Sequence, residues 1–505
     1  MTVPFLRVAP LALACAAAMA PVGAAEIEAG LRAEAQRSGS VDTLIVLSAR
    51  APKSLLRNDG NYLERRRNLV DTLRATADVT QAGLRNWLDA QGIAYRPYWI
   101  VNMIQASLTP RQIEALAARE EVAKIESNRS YALKQPVENG PLPDPSSATQ
   151  SDGSAPAAPQ AIEWGVNKVR APLVWAAGFT GQDVVIAGQD TGIRWTHAAI
   201  KAKYRGWNGV SADHNYNWHD SIHVAGSSCG ADSPVPCDDN GHGSHTIGTM
   251  VGDDGGSNQV GVAPGAKWIG CRNMNAGDGT PARYNECAQW LLAPTDLNGA
   301  NPNPDLAPDV ISNSWGCPAS EGCTAGTEIK EAIENLVAGG IVFVAAAGNG
   351  GSACGGIIDP PAIYDASFTI GSMTSGDAMS GFSLRGPGLG SSSVKPDVIA
   401  PGSSVRSISN GSDTSYMTIS GTSMATPHVA GVVALLMSAN PALKGDPARV
   451  AQILRDTAVP INDSQVCGGI PATTYPNPVQ GMGRVDAWNA FQLATDMIFV
   501  DSFED

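Results

Sequence analysis

The chain has 505 residues, of which 43% are hydrophobic and 54 are glycine, a composition typical of a turn-rich globular α/β protein. That length allows two folded units with tails. The net charge is −14 and uneven: residues 1–160 carry 17 basic and 16 acidic side chains, whereas residues 161–505 carry 17 and 32. The acidic second part argues against binding to nucleic acid or to an anionic membrane surface.

The first 25 residues have the pattern of a secretory signal. Arg7 precedes an apolar run to Ala20, and small residues follow, so we expect export and cleavage after Ala24 or Ala25. We expect no membrane anchor, because about 20 unbroken apolar residues with stop-transfer flanks do not follow. The protein is therefore expected outside the cell, with the periplasm as the alternative.

Residues 26–133 predict a small α+β unit. Its expected elements are a strand over 42–48, a helix over 61–91, strands within 94–108, a helix over 111–119 and a strand over 122–126. This β-α-β(β)-α-β order is typical of a ferredoxin-like unit. Within the long helix we interpret Arg65-Arg66-Arg67 as a solvated face, with a processing site as the alternative.

Residues 134–160 are rich in Pro, Ser and Ala and lack apolar periodicity, which predicts an exposed linker open to proteolysis. From Trp164 onward, strands and helices alternate. Expected strands cover 183–189, 267–271, 309–313, 341–347 and 368–370, and expected helices cover 245–251, 282–292, 328–337, 447–457 and 484–494. Short Val/Ile runs bounded by glycine predict a buried parallel sheet in a doubly wound α/β fold, with function at the carboxyl ends of its strands.

The cysteines predict disulfides rather than a metal site. Eight of the nine lie between positions 229 and 467, and an even number in an exported chain favours pairing. No Cys-x₂-Cys pair is present, which argues against zinc. The expected short loops are Cys229–Cys237 and Cys317–Cys323, followed by Cys271–Cys287, among many other connectivities.

Three motifs carry side chains for nucleophilic catalysis in the order Asp, His, Ser. Asp190 follows DVVIAGQ, His242 lies between glycines in NGHGSH, and Ser423 lies at the start of an apolar helical segment in SGTSMATPH. Singly, each has an ordinary interpretation as a turn residue or a helix cap. His245 is the alternative base, but it lies inside the predicted helix and is interpreted as a packing residue. Together the segments resemble the catalytic motifs of subtilisin-like serine proteases.

The resemblance covers residues 162–494 and implies a subtilisin-like fold with Asp190, His242 and Ser423 as the catalytic triad. Asn349, in FVAAAGNGG, would form the oxyanion hole with the Ser423 N–H. No cofactor is expected in the chemistry. Asp supplies 25 of the 32 acidic residues after position 160, so structural Ca²⁺ stays open, with no ligand set assigned.

Two segments match the family's extended edges, which hold a bound peptide through backbone hydrogen bonds. They comprise Gly277, Asp278 and Gly279 on one side and Ser314, Trp315 and Gly316 on the other. Trp315 either shapes a subsite or is purely structural. Ala346 and Gly348 are expected to line the first specificity pocket.

The resemblance also implies a secreted endopeptidase made as a zymogen. Residues 26–133 would be its inhibitory and chaperoning propeptide, proteins or peptides its substrates, and a monomer its expected state. A catalytically silent, subtilisin-fold binding protein is the alternative, and an esterase is a third. The local sequences WIGCRNM and SWGCP resemble bacillopeptidase F-like members. The sequence of the tail over 495–505 is compatible with a strand, a disordered end or a sorting tag.

Overall fold

A computed structural model describes residues 24–52, 61–133, 161–321, 323, 328–387 and 392–501. Nearly all of the expected signal and the whole expected linker over 134–160 lie outside these residues. Both therefore stay predictions.

The first unit contains a five-stranded sheet. Its elements are β1 (Glu26–Ile27), α1 (Leu31–Ser38), β2 (Val41–Leu47), α2 (Tyr62–Ala90), β3 (Tyr95–Tyr98), β4 (Met103–Leu108), α3 (Pro110–Ala117) and β5 (Val122–Ser127). The strand order is β1-β5-β2-β4-β3, with only the β1–β5 pair parallel. The sequence missed β1 and α1, which are short and weakly patterned. Thr109 caps α3 through a reciprocal capping box with Gln112, as its Thr-Pro start predicts.

The second unit alternates strands and helices around a larger sheet. The first unit ends with β6 (Tyr131–Ala132). The elements of the second unit up to its midpoint are β7 (Ala161–Ile162), α4 (Trp164–Lys168), α5 (Ala171–Ala176), β8 (Val185–Asp190), α6 (Ala198–Lys201), β9 (Trp218–Asp220), α7 (His242–Val251), β10 (Asn258–Gln259), β11 (Lys267–Arg272), β12 (Met274–Asn275), β13 (Asp278–Gly279) and α8 (Pro281–Leu292). The remaining elements are β14 (Val310–Asn313), α9 (Glu328–Ala338), β15 (Val342–Ala346), β16 (Phe368–Met373), β17 (Val398–Pro401), β18 (Val405–Ile408), β19 (Tyr416–Ile419), α10 (Thr422–Ala439), α11 (Pro447–Asp456) and α12 (Ala487–Asp501).

Seven parallel strands form the central sheet in the order β17-β16-β15-β14-β8-β11-β9. The non-sequential order and the helices between the strands match the predicted doubly wound α/β fold. Because all these strands run the same way, the ends of β8, β14 and β15 meet along one edge of the sheet.

Helix α10 passes through the core beside this sheet. It is long and apolar enough to cross a membrane, yet 94% of its 18-residue window is buried inside the protein. It packs on α7 and on β14 to β17. A helix that is apolar all round in this setting is a core helix.

The arginine triplet of α2 does not form a solvated face, so that interpretation is wrong. Arg66 is only 2% exposed, and its guanidinium donates to Gly339 O at 2.7 Å and to Pro304 O at 3.2 Å. Arg65 donates to Gly445 O, and Arg67 pairs with Asp305. The triplet therefore attaches α2 to the second unit, a contact that no local pattern on α2 could indicate.

The eight cysteines among the described residues form four disulfides, all in the second unit. The three expected pairs, Cys229–Cys237, Cys271–Cys287 and Cys317–Cys323, are all present. Cys354–Cys467 joins positions 113 residues apart and had no local signal.

The carboxyl end of the chain also differs from the prediction. Helix α12 continues through residue 501, so the interpretation of 495–505 as a strand is wrong for the described part of this tail.

Candidate active site

The three motif residues lie where elements begin or end at one edge of the sheet. Asp190 is the last residue of β8, His242 the first of α7 and Ser423 the second of α10. All three are at most 4% exposed. Gly241, which precedes α7, has a φ of 104° that only glycine adopts readily, so the chain can turn sharply before His242.

His242 is held by Asp190. Its Nδ1 lies 2.8 Å from Asp190 Oδ1 and 2.9 Å from Oδ2. Burial would lower the pKa of His242, but the charge and hydrogen bond of Asp190, with the charge of Asp238, outweigh it and raise the pKa above its ordinary value. An imidazole bonded through Nδ1 presents Nε2 as the proton acceptor.

His242 and Ser423, which a catalytic triad joins by a hydrogen bond, do not bond each other in this structure. Ser423 Oγ instead donates to the Ser314 carbonyl at 2.8 Å. His242 Nε2 is buried without a hydrogen-bond partner among the described residues. Rotation of the Ser423 hydroxyl away from Ser314 is therefore needed before His242 can take its proton, and such loosened contacts are common in resting sites.

Ser314 also compensates for a proline in α10. Pro427 is the sixth residue of that helix, beyond the first turn in which proline is usually tolerated. Lacking an N–H, it leaves the Ser423 carbonyl, four residues earlier, without its helical partner. Ser314 Oγ donates to that carbonyl at 3.0 Å, so the buried oxygen is satisfied from outside the helix.

Asn349 lies against the start of α10. Its Oδ1 accepts from the Thr422 N–H at 2.8 Å and from the Thr422 hydroxyl at 2.9 Å. The amide Nδ2 is thus left to donate elsewhere. Asn349 and Ser423 line the same pocket, so this amide can donate to an oxygen that forms beside Ser423.

One predicted peptide edge is occupied by the chain itself. Strand β6 pairs antiparallel with β13, placing Tyr131 opposite Gly279 and Ala132 opposite Asp278. The Leu133 N–H then donates to Gly277 O at 2.8 Å. Residues 131–133 thus add a strand to this edge, as an extended peptide would.

The other edge follows β14 and is held in place by hydrogen bonds with Gln189 and by stacking on Tyr284. Gln189 Nε2 donates to Asn313 Oδ1, and Asn313 Nδ2 donates to the Trp315 carbonyl. The Trp315 indole donates to Gln189 O at 3.0 Å and stacks on Tyr284 with ring centroids 3.8 Å apart. Trp315 therefore has a structural role, and it also lines the pocket together with Ser314 and Gly316.

Ala346 and Gly348 line the same pocket as Ser423 and Asn349, and their role in a specificity pocket stays a prediction. Gly348 has a φ of 102°, and a Cβ there would lie 2.7 Å from Leu384 Cδ1, so the backbone turn and the close packing both require glycine. Its N–H donates to Thr422 Oγ1 at 3.0 Å. This bond ties the end of β15 to the start of α10.

Asp238 is a positioning residue that the sequence analysis missed. Its Oδ1 accepts from the N–H groups of Asn240 and Gly241, and its Oδ2 accepts from the N–H and hydroxyl of Ser244. It also accepts from the Thr191 hydroxyl at 2.9 Å. It thereby joins the start of α7 to the end of β8. The signal was available, since an acid before a helix N-terminus is a typical cap.

His245 is not a base in this structure. It is fully buried, its Nε2 bonds Val405 O, and burial lowers its pKa to about 3. Among the described residues no group of three or more His, Cys, Asp or Glu side chains could hold a metal ion. Structural Ca²⁺ therefore stays a prediction with no assigned ligands.

Comparison with known proteins assigns the family of the chain. Residues 181–483 match the model of the subtilase family. The chain belongs to that family, and with it to the serine-type endopeptidases. It is 36% identical over 453 residues to bacillopeptidase F of Bacillus subtilis (strain 168), covering 86% of this chain but only 29% of that protein.

Shorter relatives match over nearly their whole length. Subtilisin DY of Bacillus licheniformis is 32% identical over 307 residues, covering 60% of this chain and 94% of the relative. Subtilisin Savinase of Lederbergia lenta is 29% identical over 310 residues, covering 61% and 96%. The similarity to a subtilisin-like protease and to bacillopeptidase F, inferred from motifs, is thus confirmed.

Proposed function

We propose that this subtilase is exported as a zymogen and hydrolyses peptide bonds in proteins as a monomer, with Ser423 as nucleophile, His242 as base and Asp190 as the orienting acid. The observation that carries the proposal is the contact of His242 Nδ1 with both Asp190 oxygens, beside a buried serine at the start of α10. Relatives named as proteases support the reaction class.

The chemistry follows from these contacts. His242 Nε2 removes the Ser423 proton as the hydroxyl oxygen attacks the peptide carbonyl, and Asp190 stabilises the imidazolium. Asn349 Nδ2 and the Ser423 N–H donate to the oxyanion. The leaving amine takes the proton from His242, and water then releases the acyl group from Ser423 by the same steps. Every step uses side chains and backbone of this chain, and no cofactor is invoked.

We further propose that residues 26–133 form a ferredoxin-like inhibitory propeptide. Three contacts support this role: β6 occupies the peptide edge at β13, Leu133 lines the pocket beside Ser423, and Arg66 anchors α2 to the Gly339 carbonyl of the second unit. A segment seated on the substrate edge excludes a second peptide from it. Residues 1–25 as signal and 134–160 as linker complete this organisation.

Expression of wild type beside Ser423→Ala tests the proposal. We expect wild type to lose its propeptide and to digest casein, whereas Ser423→Ala keeps residues 26–160 and is inactive. Intact mass and zymography give both readouts. Equal processing of the two forms would show that maturation does not use this site. A wild-type protein without activity on any protein would favour a silent binding protein.

A further inference from the structure

The backbone around Asn349 has almost no side chains of its own with which to pack. Residues 348–351 are Gly-Asn-Gly-Gly, so Asn349 is the only one of the four that carries a side chain. Gly348 and Gly351 have φ values of 102° and 111°, in the region that glycine adopts without steric cost. Because glycine also has the greatest backbone freedom, the restraint that fixes Asn349 has to come from other segments of the chain.

One neighbouring segment bonds to this backbone on both sides of Asn349. The Leu384 N–H donates to Gly348 O at 3.0 Å. The Gly351 N–H donates to Phe382 O at 2.9 Å. These bonds fix the two ends of the glycine segment, and between them packing limits any sideways movement of the backbone that carries Asn349.

Leu384 supplies this packing with both of its methyl groups. A Cβ on Gly348 would lie 2.7 Å from Leu384 Cδ1, and a Cβ on Gly350 would lie 2.8 Å from Leu384 Cδ2. A Cβ on Gly356, further along the loop, would lie 2.7 Å from the same Cδ2. One methyl group therefore packs against the glycine before Asn349, and the other packs against the glycine after it.

Leu384 is itself held in place by its neighbour Arg385. The Arg385 side chain is buried, and its guanidinium donates to Ser383 O and, at 3.1 Å, to Gln465 Oε1. Gln465 belongs to a separate segment of the chain. The position of Leu384 therefore does not depend only on the glycine segment that it contacts.

We propose that Leu384 is a positioning residue for the reaction, which acts through Asn349 by holding the backbone on both sides of the oxyanion donor. Such a donor works only at hydrogen-bond distance from the developing charge, and a displacement of about 1 Å can cost about 10²-fold in rate. Leu384 also lines the pocket together with Asn349 and Ser423, so direct contact with the substrate is the competing explanation. The inference rests on the proposed function, in which Asn349 donates to the oxyanion.

Steady-state kinetics of the matured enzyme with one chromogenic peptide test this role. Leu384→Ala removes both methyl groups, and we expect kcat to fall by about 10-fold while KM changes by less than about 2-fold, because the lost interaction acts in the transition state. Leu384→Met keeps most of the side-chain volume and should retain kcat within about 2-fold. Endpoint titration of Ser423 with a fluorophosphonate corrects each rate for the amount of folded enzyme.

A double-mutant cycle with Asn349→Ala separates the two explanations. Asn349→Ala alone should lower kcat by about 10²–10³-fold. In that background no donor is left to misplace, so adding Leu384→Ala should lower kcat by less than about 2-fold. An equal fall in both backgrounds, or an unchanged kcat in Leu384→Ala, would overturn the inference. Wild-type kcat in Asn349→Ala, or an inactive wild type, would overturn the proposed function and with it the role of Leu384.

Leu454→Ala is the matched control, since Leu454 is fully buried in α11 and is not among the residues that line the pocket. It removes the same atoms from the core, so it should destabilise the protein and leave kcat per titrated site unchanged. A fall in kcat like that of Leu384→Ala would attribute the effect to general loss of packing and overturn the inference. Should Leu384→Ala not fold, the milder Leu384→Val replaces it, with an expected fall of about 3-fold that again disappears in Asn349→Ala.

Discussion

At the scale of single residues, Asp190 controls the proton affinity of His242. His242 must be neutral to accept the Ser423 proton, and its pKa is raised in the folded site by Asp190. We expect kcat/KM to fall as pH drops through a value above the ordinary 6.5 of imidazole. In Asp190→Asn the carboxylate charge is lost, so burial lowers the pKa of His242. The acidic limb of the pH profile should therefore move to lower pH, and turnover should fall by about 10⁴-fold.

A pH profile of kcat/KM with one peptide checks this expectation. Glu334→Gln is a suitable control because its partner is the exposed Lys330 of the same helix, α9 of the second unit, outside the site. An Asp190→Asn profile with full activity and an unmoved acidic limb would contradict the role given to Asp190.

Ser314 carries a second prediction at this scale. Removing its hydroxyl leaves the buried Ser423 carbonyl unsatisfied, because Pro427 cannot supply an N–H. In the inactive Ser423→Ala background, which prevents self-digestion, Ser314→Ala should lower the free energy of unfolding by about 1–3 kcal/mol.

A double-mutant cycle distinguishes this cause from general packing loss. Pro427→Ala provides an N–H for the same carbonyl, so Ser314→Ala should cost less in that background. Denaturant unfolding measures all four combinations. Equal costs in both backgrounds would show that the Ser314 hydroxyl does not compensate for Pro427.

At the scale of elements, α2 is attached through its basic first turns. Arg66 satisfies the carbonyls of Gly339 and Pro304 from a buried position, whereas the Arg67–Asp305 pair is largely exposed. We expect Arg66→Ala in Ser423→Ala to reduce stability by roughly 1–3 kcal/mol and to open the first unit to limited proteolysis. Arg67→Ala should have no measurable effect, because solvent screens an exposed pair. The reverse ranking would contradict the anchoring role of Arg66.

The elements also show what the sequence could and could not predict. Asp190, His242 and Asn349 each stand beside a strand or helix boundary that glycine and apolar runs reveal, so both their positions and their meeting at one sheet edge were predictable. The environment of Arg66 was predicted wrongly, because a charged triplet has the same sequence pattern on a solvated helix as on a helix packed against another unit. The Ser423–Ser314 bond depends on side-chain rotation and Pro427, which no sequence pattern specifies.

At the scale of the whole molecule, Cys354–Cys467 links distant parts of the second unit. Its 113-residue separation constrains the unfolded chain far more than the 6-residue separation of Cys317–Cys323. Loop entropy predicts a loss of roughly 4–5 kcal/mol when the long link is removed and about 2–3 kcal/mol for the short one. Thermal unfolding of the paired Cys→Ser variants in Ser423→Ala checks this order, and a larger loss for the short link would contradict it.

In the proposed function, Ser423 is the nucleophile of a single site that the first unit covers. Labelling of the secreted protein with a serine-directed fluorophosphonate, followed by peptide mass mapping, tests this most directly. We expect one adduct, on Ser423, in matured wild type, with loss of activity in proportion to labelling, and no adduct in the unprocessed Ser423→Ala chain. An adduct on another serine, or activity that survives full labelling of Ser423, would contradict it.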